Sequence, residues 1–305
     1  MNKKRLLITG GSGLLGVNWA ITCRDLYDVV LLLNKRLVNL RDSSSVNYHI
    51  TSYKTALTLF DSVRPDIVIH TAGLTNVELC EADPLLAHSV NVELSDFLSK
   101  ACAELGIDFV HISTDHLFSG ETAMSDETEI VNPINVYGIT KVKAEEIVKY
   151  NNQQALIVRT NFYCWGTSYR QSFSDMIINA LRNNENIKLF DDVFYTPILA
   201  EYLIKLVHAL IEKKQEGIFN IVSSERISKY EFGILLAETF HLDTGFISRS
   251  KIFDNLKLVK RPADMSLSNK KLEEIIGSEI PSLKMQLSRL FEQEQKGLRK
   301  EILSI

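Results

Sequence analysis

Three short stretches carry residue types that together could move a hydride and a proton. Of the ten tyrosines only Tyr137, in Tyr137-Gly138-Ile139-Thr140-Lys141, has a lysine four residues later. On a helix that spacing sets both side chains on one face. A free phenol, with a pKa of about 10, is a poor base and a fair acid at neutral pH. A nearby ammonium lowers that value towards the working range. Tyr137 would then protonate a carbonyl oxygen as hydride reaches the carbon, while Lys141 holds a nicotinamide ribose and tunes the phenol. Thr114 ends the β-like run His111-Ile112-Ser113-Thr114-Asp115 and could hydrogen-bond the same oxygen. A YxxxK match arises by chance about once in a chain this size, so the reading rests on the signals occurring together. Taken singly, Tyr137 and Lys141 read as the start of an exposed amphipathic helix, and Thr114 as a buried strand-end hydroxyl.

The third stretch is Thr9-Gly10-Gly11-Ser12-Gly13-Leu14-Leu15-Gly16, directly after the first apolar run. Its GxxGxxG spacing permits a tight turn, close approach of backbone to a pyrophosphate, and close packing of helix on strand. The helix that follows would offer unpaired N–H groups and its positive dipole end to phosphates. The next apolar run, Val29–Leu33, ends in Asn34-Lys35-Arg36. An acidic residue at that place would accept hydrogen bonds from the ribose hydroxyls of NAD; here it is neutral. Lys35 and Arg36 could instead neutralise a 2′-phosphate, which favours NADPH. For either cation alone, a solvated basic turn is an equal alternative.

Such side chains need a scaffold whose strand ends converge. Strands are expected at Arg5–Thr9, Asp28–Leu33, Val46–Ile50, Asp66–His70, Phe109–Ser113 and Ala155–Arg159, with helices at Leu14–Arg24, Tyr53–Val63, Pro84–Leu105 and Asn135–Tyr150. That alternation predicts an α/β chain with a Rossmann-type, doubly wound parallel sheet covered on both faces. The rhythm then changes. Helices are expected at Gln171–Asn183, Leu199–Lys213, Lys229–Phe240 and Ser282–Lys300, with strands at Gly217–Val222 and Phe246–Ile252. This suggests a cofactor-binding domain over residues 1–160, with 197–222 packing back onto it. A smaller, interleaved α/β substrate-binding region would comprise 161–196 and 223–305. Ligands of open α/β sheets bind beyond the carboxyl ends of the strands, where all three signals fall.

Composition narrows the partners. A net charge of −4 over 305 residues gives no reason to expect nucleic acid or an anionic membrane. The apolar start stops at Thr9, too short for a signal sequence, and no stretch approaches a membrane span, so a cytoplasmic location is expected. Cys23, Cys80, Cys102 and Cys164 are widely spaced, which argues against zinc and against a disulfide framework. Cys164 could be a nucleophile, although the other signals supply a complete chemistry without it. Asp191-Asp192 could suggest Mg²⁺, but a solvated acidic turn explains it as well, and no metal is expected.

With Arg64-Pro65-Asp66-Ile67-Val68-Ile69-His70-Thr71-Ala72, Thr75-Asn76-Val77 with Glu81, and Val90-Asn91, the sequence resembles the extended short-chain dehydrogenase/reductase family. Ser113–Gly120, Asn132–Gly138, Arg159-Thr160-Asn161-Phe162, and Arg261-Pro262 with Leu267 extend the match over most of the chain. Within that family it is most similar to dTDP-4-dehydrorhamnose reductases and related nucleotide-sugar reductases. The resemblance implies NADP(H) as cofactor, a nucleoside-diphosphate-linked 4-keto-6-deoxysugar as substrate, and Thr114, Tyr137 and Lys141 as the catalytic set. It implies cofactor contacts from Gly10, Ser12, Gly13, Leu14, Leu15, Gly16, Asn34, Lys35, Arg36, Ala72, Gly73 and Asn91, with Tyr137 and Lys141. It implies a substrate side of Thr75, Thr114, Asp115, His116, Asn135, Phe162 and Arg261; a surface cation before a proline turn is the plainer reading of Arg261.

Four departures bear on the sugar. His116 stands where these reductases usually have tyrosine, His49 where an acidic residue often meets adenine, and Phe162 where tryptophan is frequent. Asp191–Pro197 matches the family's segment only loosely. Two other functions stay open. One is an epimerase or dehydratase retaining NAD, although Asp115-His116 lacks the Asp-Glu pair that dehydratases tend to carry. The other is a non-catalytic NADP-binding subunit resembling the regulatory subunit of methionine adenosyltransferase, which would have no need of a proton donor. The last helix, with Leu283, Leu287, Leu290 and Phe291 on one side, could pack on the core or on a second copy in a homodimer.

Overall fold

The computed structural model describes residues 3–252 and 258–305. Strands β1 (Arg5–Thr9), β2 (Asp28–Leu33), β3 (Ser44–Asn47), β4 (Ile67–His70), β5 (Asp108–Ile112) and β6 (Leu156–Arg159) are short apolar runs, apart from β3. Helices α1 (Leu14–Cys23), α2 (Tyr53–Val63), α3 (Val77–Ala82), α4 (Pro84–His88), α5 (Leu94–Leu105) and α6 (Val136–Asn151) lie between them. After β7 (Phe162–Tyr163) come α7 (Phe173–Arg182), β8 (Ile187–Phe190), β9 (Phe194–Tyr195), β10 (Ile198–Leu199), α8 (Ala200–Glu212) and β11 (Gly217–Asn220). The chain closes with β12 (Ile227–Ser228), α9 (Lys229–Thr239), β13 (Ile247–Ser250), α10 (Lys270–Ile276), α11 (Leu283–Gln295) and α12 (Leu298–Leu303).

The main sheet has seven strands in the order β11-β6-β5-β4-β1-β2-β3, every pair parallel. Burial on both faces is what selects such uninterrupted apolar strands. Along β1, Leu6 and Ile8 face a core shared with α1 and α8, whereas Leu7 faces one shared with α2, α5 and Val148 of α6. Chain order reverses at β1, whose neighbours are β2 and β4. Their carboxyl ends therefore diverge into a crevice. A third core joins α7, α9 and α11 around Phe232 and Trp165, beside two-stranded pairs β7–β10, β9–β12 and β8–β13. Leu283, Leu287 and Leu290 are buried there, so this face of the last long helix packs on its own chain.

The sheet thus has the expected class, with local departures. The helix expected over Pro84–Leu105 is interrupted by a π turn at Ser89–Glu93. The wider turn places Asn91 so that its Oδ1 accepts from Leu74 N at 2.7 Å. Its Nδ2 donates to Leu74 O at 3.1 Å and to Thr140 Oγ1 at 3.0 Å. Periodicity cannot show this, because one inserted residue leaves the apolar stripe nearly intact. The third strand begins at Ser44 and stops at Asn47, not over Val46–Ile50, because Val30–Leu33 fix the register of their partner. The terminal helix divides at Gly297, whose φ of 84° ends α11 and opens α12. Helices α3 and α10 are too short to leave a periodic signal. Among the described residues no helix is long and apolar enough to cross a membrane.

Candidate active site

The crevice is a cleft of about 910 Å³ lined by the carboxyl ends of β1, β2, β4 and β5 and by the loops beyond them. The glycine loop forms one wall. Gly10 has φ +65°, and a Cβ there would sit 2.8 Å from the backbone of Ala72; one on Gly16 would sit 2.5 Å from Gly10 O. A side chain at either place would collide with backbone and push the loop out of shape. Gly13 caps α1 without a side-chain hydrogen bond, so the first-turn N–H groups stay available to an anion.

Across the loop, hydrogen-bonded polar groups line up on the strand ends. Thr9, His70 and His111 stand side by side in register. Thr9 Oγ1 lies 2.7 Å from His70 Nδ1, and His70 Nε2 lies 3.0 Å from Ser95 Oγ. Burial, reinforced by the charge of Lys141, pulls His70 down to about 3 and His111 well below its ordinary value, so both rings are neutral.

Helix α6 delivers the tyrosine and the lysine. Asn135 caps it, accepting from Gly138 N at 2.8 Å and donating to Lys260 O at 3.0 Å. The Lys141 amine, on a residue only 5% exposed, donates to Ile112 O at 2.7 Å and lies 3.2 Å from His111 Nε2. Burial lowers its pKa to about 8, against the pull of Glu145. Tyr137 is buried too. Burial raises its phenol above the ordinary value, the Thr114 hydroxyl acts in the opposite direction, and Asp115 and Cys80 raise it further. The sequence argument had Lys141 lowering the phenol; instead the amine turns to Ile112 and His111, and Tyr137 is a protonated acid at neutral pH.

Thr114 Oγ1 contacts Asp115 Oδ1 at 3.2 Å, and Asp115 Oδ2 accepts from Asn161 Nδ2 at 2.5 Å. The His116 ring stands edge-on to Tyr137 with centroids 5.5 Å apart; its buried Nδ1 has no protein partner. Burial lowers the pKa of this imidazole, so it is neutral at pH 7.

Most residues singled out from the sequence line this cleft: Gly10, Ser12, Gly13, Leu14, Leu15, Asn34, Arg36, Ala72, Gly73, Thr75, Asn91, Thr114, Asp115, His116, Tyr137, Lys141 and Phe162. Gly16, Lys35, Asn135 and Arg261 do not. Gly16 packs under the loop, Lys35 is exposed, Asn135 is the α6 cap, and Arg261 pairs with Glu78. Sequence reading missed Ser89, Val90 and Glu93 of the π turn, Asn161 as a site residue, and Tyr169 and Arg170, which follow Gly166 in a segment with no motif. Cys164 is buried, and its thiol is pushed far up by that burial, which removes it as a nucleophile. Asp191 pairs with Lys251 at 2.7 Å, and no metal-binding cluster of His, Cys, Asp or Glu occurs among the described residues.

These residues fit a dinucleotide. The glycine loop admits no side chain at Gly10 or Gly16, α1 offers free N–H groups, and Glu93 and Asp115 are the only carboxylates among the lining residues described. No acid stands at the end of β2, and Arg36 lies on the wall beyond it.

Three comparisons agree with this architecture. A crystal structure of dTDP-4-dehydrorhamnose reductase from Bacillus anthracis, in complex with NADP, superposes with a TM-score of 0.84 at 25% identity, covering 95% of this chain and 99% of that one. A probable low-salt glycan biosynthesis reductase of Haloferax volcanii is 29% identical over 93% of this chain and 96% of its own length. Methionine adenosyltransferase 2 subunit beta of Xenopus tropicalis is 26% identical over 91% of this chain and 84% of its own. The model of the RmlD substrate binding domain matches residues 4–296; the chain belongs to that family.

Proposed function

We propose that this chain is an NADPH-dependent reductase of a nucleoside-diphosphate-linked 4-keto-6-deoxysugar, working in deoxysugar synthesis for cell-surface polysaccharide. The observation that carries the reading is convergence: Thr114, Tyr137 and Lys141, from two separate elements, line the same cleft as the glycine loop. When bound, the cofactor supplies the hydride. Gly10, Ser12 and Gly13 with the α1 N-terminus hold its phosphates, Arg36 a 2′-phosphate, and Lys141 the nicotinamide ribose. Tyr137 gives its phenolic proton to the sugar's carbonyl oxygen, which the Thr114 hydroxyl holds by a hydrogen bond. The buried setting of both groups strengthens these interactions. The Asp115–Asn161 pair and Phe162 form the sugar side of the cleft.

The direct test is stoichiometric NADPH oxidation by the purified protein with dTDP-linked and other nucleoside-diphosphate 4-keto-6-deoxysugars. A protein that arrives carrying tightly held NAD and interconverts sugars without net oxidation would overturn the reading in favour of an epimerase. NADPH binding with no turnover across the panel would favour a binding subunit, the reading supported by the relative from Xenopus tropicalis.

The state of Lys141 gives a pH signature. Its amine is charged below about 8 and neutral above it. The ammonium is the form that holds the ribose, so kcat/KM for NADPH is expected to fall along one alkaline limb centred near pH 8. Tyr137 stays protonated through that window. A profile flat from about pH 6 to 10 would exclude the assigned role of Lys141.

A further inference from the structure

Residues Cys164–Gln171 carry no motif, yet they touch both walls of the cleft. Tyr169 donates its hydroxyl hydrogen to Ser12 O of the glycine loop at 2.8 Å. The next residue, Arg170, donates from Nη2 to Thr75 Oγ1 on the opposite wall at 3.1 Å. Above the Tyr169 ring lies the guanidinium of Arg36, its carbon 4.0 Å from the ring centroid. Among the described residues Arg36 has no carboxylate partner, so its charge remains free for an anion.

The segment is held firmly from behind. Thr167 and Arg170 close a tight turn with backbone hydrogen bonds of 2.9 and 3.3 Å. Buried Asp175 accepts from Gly166 N at 2.5 Å and from Ser172 N at 3.1 Å. Asn18 of α1 donates to Trp165 O at 2.9 Å, tying the turn to the helix that begins at the glycine loop. A Cβ on Gly166 would lie 2.5 Å from Arg170 O, so the turn admits no side chain there.

We propose that Tyr169 is a cofactor-specificity residue. Its ring is the platform that holds Arg36 beside Ser12, where a ribose 2′-phosphate is recognised, and Arg170 anchors the platform across the cleft. The proposal rests on the NADPH reading above and adds the element that makes Arg36 selective. A long guanidinium side chain on an open turn samples many rotamers, and fixing it before the ligand arrives removes part of that entropy loss. NADH has no 2′-phosphate, so the platform acts on NADPH alone.

The test is calorimetric titration of the full chain and its variants with NADPH, NADH and adenosine 2′,5′-bisphosphate, a probe that carries the 2′-phosphate without nicotinamide. Tyr169→Ala is expected to weaken NADPH and the bisphosphate about fivefold, the upper end for a cation–π contact at an exposed guanidinium, with NADH changed less than about twofold. Tyr169→Phe keeps the ring and is expected to keep the NADPH preference. Combined with Arg36→Met, Tyr169→Ala should add nothing further, because both changes remove one interaction. Equal losses for NADPH and NADH, or losses that add in the double variant, would overturn the platform and leave the reductase reading standing. Conversely, the expected selectivity loss in a protein that reduces no keto-sugar would support the platform and sink the reductase.

Discussion

Tyr137→Phe is expected to lower kcat for keto-sugar reduction by about 10³-fold, within the usual range for a positioned general acid, while NADPH affinity stays within about twofold. The variant removes a single oxygen. The ring contacts with Val77, Cys80 and Ala87, and the edge-on contact with His116, survive in phenylalanine. So do the Asn135 cap and the hydrogen bonds of Lys141. What disappears is the phenolic hydroxyl, the proposed proton source. One side-chain hydroxyl contributes about 1 kcal/mol through its hydrogen bonding, so the melting temperature should move by no more than about 2–4 °C. Loss of turnover with fold and cofactor affinity intact would therefore be chemical, not structural. Steady-state rates with circular dichroism and NADPH titration separate the two. A variant that keeps turnover within about tenfold of the original would remove Tyr137 from the chemistry.

The same buried position explains why this phenol suits reduction. Desolvation opposes the phenolate and keeps the proton on Tyr137. An acid of this kind gives up its proton when a partner oxygen gains negative charge, which happens only as hydride reaches the carbonyl carbon. In the proposed reduction Thr114, which lines the cleft just beyond β5, would hold the same oxygen. Lys141 is positioned by Ile112 O and His111, which leaves an ammonium hydrogen for the proposed ribose contact.

The residues that sequence reading brought together in one cleft are those whose types the chemistry would demand. Gly10 and Gly16 announce the glycine loop because a Cβ at either would meet backbone at 2.8 or 2.5 Å. Tyr137 and Lys141 announce themselves because helix geometry turns a spacing of four into a shared face. Equally legible were the strands of the main sheet, whose apolar runs reflect burial on both faces. Side chains whose neighbours are distant in sequence were hidden. Tyr169 and Arg170 reach the cleft through a turn set by Gly166 and Asp175, and no local pattern reveals where such a turn points. Asn91 was flagged for the cofactor, yet its bonds to Leu74 and Thr140 depend on a π turn that leaves no periodic trace. Arg261 shows the converse: a cation that looks suited to a diphosphate is paired with Glu78.

Glu145→Ala is expected to cost about 3–5 kcal/mol of folding stability, the loss associated with stranding one partner of a buried ion pair. Glu145 and Arg159 are 5% and 3% exposed. Arg159 Nη2 donates to Glu145 Oε2 at 2.8 Å and Nε to Oε1 at 3.1 Å, while Ser113 Oγ donates to Oε1 at 2.5 Å. The carboxylate thus joins α6, β6 and the end of β5 directly behind Thr114. Alanine would leave the guanidinium buried and the Ser113 hydroxyl without its acceptor, a large share of the roughly 5–15 kcal/mol that holds a domain folded. Glu145→Gln separates packing from charge. The amide retains volume and one acceptor, so it should remain folded with a smaller loss. It also removes a negative charge that supports the Lys141 ammonium. The Lys141 pKa should then drop below about 8, moving the alkaline limb of kcat/KM to lower pH. Urea titration of both variants, with the pH profile of the glutamine form, checks the argument. A loss below about 1 kcal/mol for alanine would mean that water reaches Arg159. An unmoved limb in the glutamine variant would mean that Glu145 holds the fold without influencing the amine one helical turn away.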